Sequence, residues 1–151
     1  LKTGDEITIG KAKYRVLWPG SVWTAKTLNN ASMVLRMDYG AASVLFTGDL
    51  ESAAAKAMTE ESGDALKTDI LKVPHHGGGS SAQKTLLDTC DADWAIISVG
   101  ADNQYREPSD AMLALLMDEE MGIWRTDRDG TVVVTLGKEG IRRISDMNRR
   151  R

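Results

Sequence analysis

Cysteine is nearly absent from this chain. Cys90 is the single one, so no internal disulfide can form and the redox compartment stays open. It sits where a helical pattern gives way to a polar turn, with no histidine near in sequence, which points to a structural thiol rather than a nucleophile. Long hydrophobic runs are missing as well. No stretch approaches the roughly 20 apolar residues of a membrane span, and no signal peptide is present. A strong excess of one charge is also lacking: a net charge of -3 and a pI near 5.4 argue against a general nucleic-acid binder. Histidine is scarce, with two in the whole chain, and no His-x-His or His-x-Asp-x-Asp-His cluster occurs. The chain starts at Leu1 and finishes in Arg149-Arg150-Arg151, so both ends read as cuts in a longer protein. The missing membrane segment therefore says nothing about a parent.

What is present has the profile of one globular domain. The chain has 151 residues, 42% hydrophobic and 27% charged, enough to bury a core. Apolar runs bounded by turn signals predict strands at 6–9, 13–18, 32–39, 43–47, 66–73, 94–99, 123–126 and 131–136, with a short one at 141–144. The strands at 32–39 and 43–47 should pair as a hairpin around Gly40. Helices are predicted from Leu50 to Met58 with Asp49 at the N-cap, from Ser80 or Ser81 to about Asp88, and from Ser109 to about Glu120. In the last, Met112, Leu113, Leu115, Leu116 and Met117 form the apolar face. Asp129-Gly130 reads as a hairpin turn linking 123–126 to 131–136. Strands alternating with helices, plus hairpins, predict an α/β fold with a mixed β-sheet and flanking helices. Val44 to Phe46 and Ala95 to Val99 lack polar alternation and should be covered on both faces.

Two strand ends carry chemistry. Val44-Leu45-Phe46-Thr47-Gly48-Asp49 finishes in a carboxylate, which Gly48 lets swing over the sheet edge. Asp69-Ile70-Leu71-Lys72-Val73-Pro74-His75-His76 finishes in both histidines, followed by Gly77-Gly78-Gly79-Ser80-Ser81. The residue before a proline favours extended backbone, so the strand should stay straight up to the turn. Neighbours on an extended segment point to opposite faces, so one imidazole should bind an ion and the other face substrate. The glycine run leaves backbone N–H groups unobstructed, and a helix opening at Ser80-Ser81 would attract an anion. Carboxylate and imidazole at neighbouring strand ends predict a metal-dependent hydrolase site, of which this chain holds half. Asn29-Asn30-Ala31-Ser32 and Asn103-Gln104-Tyr105-Arg106-Glu107-Pro108 are polar loops beside strands, where α/β folds place active-site groups. Arg125-Thr126-Asp127 reads as a strand end with an internal salt bridge.

Taken in order, these motifs resemble the C-terminal half of a metallo-β-lactamase αββα sandwich, and in particular the ComEC-type DNA-internalisation competence proteins. The pieces that carry the resemblance are Leu17-Trp18-Pro19, Asn29 to Leu35, Leu45 to Asp49, Asp69 to Gly77, Ala95 to Gly100, Asn103-x-Tyr105, Pro108, and Arg125-Thr126-Asp127 with Gly130; it runs from about 4 to 136. The resemblance implies a metallo-β-lactamase-like portion over 1–145 and a basic tail over 146–151. It implies metal ligands Asp49 and His75, catalytic residues His76 and Glu107, and substrate contacts Asn30, Ser32, Gly77, Ser80 and Asn103. It further implies a divalent metal, Zn or Mn, with two ions in an intact domain generating a hydroxide nucleophile. The partners implied are DNA and the missing N-terminal half of the domain. The location implied is the extracytoplasmic face of a bacterial membrane protein, as a soluble domain. The upstream His/Asp cluster of that family is missing, Gly78 replaces its usual serine, and Arg106-Glu107 replaces its Gly-His before Pro108. A phosphodiesterase or nuclease module is thus expected, with the fragment itself inactive. The alternatives are a non-catalytic interaction module, or another hydrolase of the fold such as a phosphorylcholine esterase or lactonase. A half-fold should leave an apolar sheet face or edge and form a homodimer or pack heavily on a neighbour.

Overall fold

The computed structural model describes residues 1–20 and 23–147. Three antiparallel strands come first: β1 (Glu6–Ile9), β2 (Ala12–Trp18) and β3 (Val34–Tyr39). Then β4 (Ala42–Phe46) pairs back on β3 as the predicted hairpin, with Tyr39 opposite Ala42. From β4 onward the connections are helical: α1 (Ser52–Ser62), β5 (Ile70–Lys72), α2 (Lys84–Cys90), β6 (Trp94–Ile97), α3 (Asp110–Asp118) and β7 (Gly122–Arg125). The strands β4 to β7 are parallel and in sequence order, so the sheet runs β1-β2-β3-β4-β5-β6-β7. Crossovers of one hand, always stepping the same way, put every helix on the same face.

That face holds the core. Leu45, Leu71, Ala95 and Ile97 of the central strands pack with Ala54, Ala55 and Met58 of α1, Leu86 and Leu87 of α2, and Met112 and Leu116 of α3. Period-2 strands supply every second residue to this face, and the rest point the other way. On that other face lie Met37, Val44, Phe46, Ile70, Lys72 and Ile96. They meet Val132, Val134 and Leu136 of a separate two-stranded sheet, β8 (Val132–Gly137) with β9 (Gly140–Asp146), across a groove of about 310 Å³. Backbone contact anchors this hairpin: Ala41 N donates to Lys138 O at 2.9 Å, and a Cβ on Gly40 would fall 2.6 Å from the same oxygen. The architecture is mixed α/β: a seven-stranded mixed sheet, flanking helices and a hairpin.

Several local expectations need correction. The predicted strand at 66–73 shrinks to β5, because Gly63–Leu66 forms a 3-10 turn. Asp49 is not a helix cap: α1 starts at Ser52 with Glu51 in the cap position, and buried Leu50 intervenes. Ser80 and Ser81 do not open a helix either. They belong to a 3-10 turn, Gly79–Ser81, and α2 begins at Lys84. Asp129-Gly130 does not join a hairpin; after β7 the short helix α4 (Thr126–Asp129) lifts the chain off the sheet. Thr126 forces this, its hydroxyl donating to Val99 O at 2.8 Å and accepting from Val99 N at 2.7 Å. The helix expected from Ser109 to about Glu120 is α3, which starts one residue later because Ser109 is its cap, with Oγ accepting from Met112 N. Met117, however, is exposed while Met112 and Leu116 are buried, because only one stripe of a nine-residue helix can face the sheet. Phe46, 40% exposed, shows that the hairpin covers the second face incompletely. The tail expected at 146–151 lies outside the described residues from 148 onward.

Candidate active site

The parallel strands β4 and β5 end side by side, with Phe46 opposite Lys72. Whatever follows each strand therefore emerges at the same rim. After β4, Gly48 takes φ +55°, a left-handed turn that a glycine adopts freely, and Asp49 follows. Ser32 holds it there by accepting a hydrogen bond from Asp49 N at 3.0 Å. After β5, Pro74–Gly77 coils into a 3-10 turn, and His75 and His76 both take positive φ, +46° and +52°. The straight strand expected up to the turn is therefore replaced by two left-handed residues. Each costs on the order of 1 kcal/mol or more, which surrounding contacts must enforce. Those contacts are visible: His75 N donates to Gly48 O at 3.0 Å, and Gly78 N to His75 O at 2.7 Å. The first of these ties the carboxylate loop to the histidine loop directly.

The two rings diverge, with centroids 6.3 Å apart. His76 turns toward the carboxylate: its Nε2 lies 3.7 Å from Asp49 Oδ1, with the two side chains 47% and 49% exposed. Its Nδ1 lies 2.6 Å from Ser98 O. A carbonyl oxygen only accepts, so Nδ1 carries the hydrogen in this contact and the neutral imidazole keeps its lone pair on Nε2. Two lone-pair donors thus face one another across the rim. His75 points elsewhere, its Nδ1 3.2 Å from Ser80 Oγ. Asp49 and His76 are two donors, and no group of three or more His, Cys, Asp or Glu side chains that could hold a metal ion occurs among the described residues. A catalytic zinc takes about three protein ligands, so the residues present do not by themselves fit one.

Comparison with known proteins gives the chain a context. Over 132 residues, 87% of its length, it is 35% identical to ComE operon protein 3 of Bacillus subtilis (strain 168), covering 17% of that protein. Over 114 residues it is 30% identical to Competence protein ComA of Neisseria gonorrhoeae, covering 16% of it. Over 121 residues it is 33% identical to Recombination protein 2 of Haemophilus influenzae, covering 15% of it. The chain is homologous to a segment of these competence proteins. It spans about a sixth of the length of the curated relatives it matches. No protein-family model matches it. Among the described residues, no helix is long and apolar enough to cross a membrane.

The remaining candidates divide into those at the rim and those that brace it. Ser80 is exposed beside His75, and its carbonyl accepts from Ser52 Oγ at 2.6 Å. Gly77 is buried at φ +80° under Pro108, whose Cβ lies 2.6 Å from where a Gly77 Cβ would sit. Glu107 reaches the same turn: its Oε1 lies 2.7 Å from the corresponding point on Gly78. Asn103 clamps the Glu107 backbone, Nδ2 donating to Glu107 O at 2.7 Å and Oδ1 accepting from Glu107 N at 2.8 Å. Asn30 is buried, and its amide is spent on Glu51. Arg125 and Asp127 form the expected salt bridge at 2.6 Å. That bridge holds the Asp127 carboxyl below its usual range and pushes Arg125 further up.

Lys72 was not singled out from sequence. It is the last residue of β5, and burial lowers its ammonium from the ordinary lysine value, against an opposing pull from the Asp49 carboxylate. Its Nζ donates to Val73 O at 2.8 Å. A lysine interrupting the apolar run Ile70-Leu71-Lys72-Val73 was the available signal.

Proposed function

We propose that this chain is the C-terminal portion of a metallo-β-lactamase-like domain. In this reading it is part of a metal-dependent phosphodiesterase or nuclease module in a DNA-uptake membrane protein. Its relatives' names support the competence connection. The order of layers supports the fold reading: helices cover one face of the large sheet, and a second, incomplete sheet lies against the other. That is three of the four layers of an αββα sandwich, with room for strands supplied from outside this segment.

The observation that carries the hydrolase reading is the facing pair, Asp49 Oδ1 and His76 Nε2 at 3.7 Å on a strand-end rim. Two lone-pair donors at this separation are drawn together by a cation. Asp49 and a histidine would supply part of the donor set for a Zn or Mn ion, and the rest would come from the missing N-terminal half of the domain. Such an ion would supply charge neutralisation at a phosphodiester. What this chain's own groups do is orient: Ser98 O sets the His76 tautomer, and Ser32 and Gly48 fix the two loops against each other. Because His76, not His75, faces Asp49, the ligand role passes to His76, and His75 with Ser80 becomes the pair offered to substrate.

Isothermal titration of the isolated chain with Zn²⁺ or Mn²⁺ tests the half-site directly. Weak binding without detectable DNA hydrolysis is expected, and tight two-ion binding to these residues alone would refute it. In a parent carrying the upstream segment, Asp49→Asn should abolish hydrolysis of single-stranded DNA. Full activity in that variant would leave the non-catalytic interaction module as the better reading.

A further inference from the structure

Lys72 is a cation with no direct counter-charge. It closes β5 on the face away from the helices, with Phe46 of β4 beside it on one side and Ile96 of β6 on the other. Its stem lies along the groove between the two sheets, whose other lining side chains are all apolar. Its ammonium turns to the strand end, where it donates to Val73 O at 2.8 Å and feels the pull of Asp49. No carboxylate forms an ion pair with it among the described residues. A lysine with a purely structural role is found in an ion pair or out in solvent, and Lys72 is in neither position. Withdrawing an ammonium from water costs free energy that one carbonyl offsets only in part, so an anion set against it is stabilised.

Phe46 supplies a second, independent feature. It is the last residue of β4, stands opposite Lys72, lines the same groove, and is 40% exposed. An open aromatic face beside a cation is the pairing that holds single-stranded nucleic acid, the base stacking while the phosphate meets the charge. The net charge of -3 does not oppose this, because the contact is local. Both residues end strands whose following loops carry Asp49 and His76.

We infer that Phe46 and Lys72 form a nucleotide subsite beside the Asp49–His76 pair, with a base stacked on the Phe46 ring and a phosphate on the Lys72 ammonium. The inference rests on the proposed phosphodiesterase reading and gives its substrate a direction: the scissile phosphodiester lies at Asp49 and His76, and the adjacent nucleotide lies over the groove.

The test titrates the chain at low salt, without added metal, with dAMP, deoxyadenosine, inorganic phosphate and decanoate, followed through the amide resonances of residues 46 and 72. dAMP should bind about three- to tenfold tighter than deoxyadenosine, the effect of one nearby charge in a solvated site. It should bind about tenfold tighter than inorganic phosphate, the scale of one stacked base. Lys72→Met keeps the apolar stem and should erase the first margin, and Phe46→Leu should erase the second. Lys72→Arg and Phe46→Tyr should keep both. In the unmutated chain the margin over deoxyadenosine should fade near 1 M salt, as screening shortens to a few ångströms. dAMP binding no tighter than deoxyadenosine, or full dAMP affinity in Lys72→Met, would overturn the inference. So would equal losses in the conservative variants, which mark a structural role, or decanoate binding as tightly as dAMP, which marks a groove for apolar acids. Cleavage is a separate readout. A parent that binds dAMP through Phe46 and Lys72 without hydrolysing DNA keeps the subsite and loses the hydrolase. Hydrolysis abolished by Asp49→Asn, with dAMP binding indifferent to Lys72, does the reverse.

Discussion

Replacing Asn30 by alanine separates a structural role from a substrate-binding one. Asn30 is 5% exposed, and its Nδ2 donates to Glu51 Oε2 at 3.0 Å while its Oδ1 accepts from Glu51 N at 3.2 Å. Glu51 is the N-cap position of α1, so the second bond satisfies one of the backbone donors that a helix start leaves open. Alanine removes both bonds. A hydrogen bond to a charged group contributes about 1.5–3 kcal/mol, and an orphaned donor costs about 1–3 kcal/mol. Glu51 keeps Thr27 and Asn29 at 3.1 and 3.3 Å, and water can reach the half-buried helix start, which lowers the sum. A loss of about 2–4 kcal/mol follows, or roughly 5–15 °C in Tm for a domain of this size. Urea denaturation followed by far-ultraviolet circular dichroism measures it. Paired with Glu51→Ala, the cycle should show coupling of about 1 kcal/mol or more. A change under about 0.5 kcal/mol with no coupling would mean the amide is free to serve a ligand, and the bracing argument would fail.

Three further outcomes follow from the same contacts. Gly77→Ala should destabilise by about 2–4 kcal/mol in thermal melts, from left-handed strain and the clash with Pro108, whereas Gly78→Ala should cost little. The Asp127 carboxyl sits below its ordinary value of 3.8 because Arg125 bonds it, so its contribution is whole above that value and fades as pH falls through the lowered one. Asp127→Asn should therefore cost stability at pH 7 and flatten the acid side of the stability profile. Cys90 is fully buried and its thiol is pushed up to about 12 by desolvation, so it should resist a thiol reagent at pH 8 until denaturant is added, and rapid native labelling would contradict its place in the core.

Much of the site was legible because it rests on strand ends. An apolar run closing in Gly48-Asp49, and another closing in Pro74-His75-His76, are local patterns, and parallel pairing of β4 with β5 makes their ends neighbours. The helix start at Ser109 and the Arg125–Asp127 bridge were equally local. Glu107 was visible as a polar loop residue, but its contact with Gly78 joins positions about 30 apart and leaves no periodic trace. The same holds for Asn30, whose amide looked available until Glu51 was folded against it.

By itself, then, the sequence determined the strands, their hairpin, the helical crossovers and the two loops that bear the acidic and imidazole groups, because hydrophobic period and turn chemistry act over a few residues. Only the tertiary structure decided that His76 rather than His75 looks at Asp49. That outcome depends on Gly48 O, Ser98 O and Ser80 Oγ reaching the histidine turn from three other segments. It also decided that residues 123–126 and 131–136 part company. Thr126 bonds back to Val99 and sends the last strands across to the opposite face of the sheet, where long-range packing overrides a turn signal.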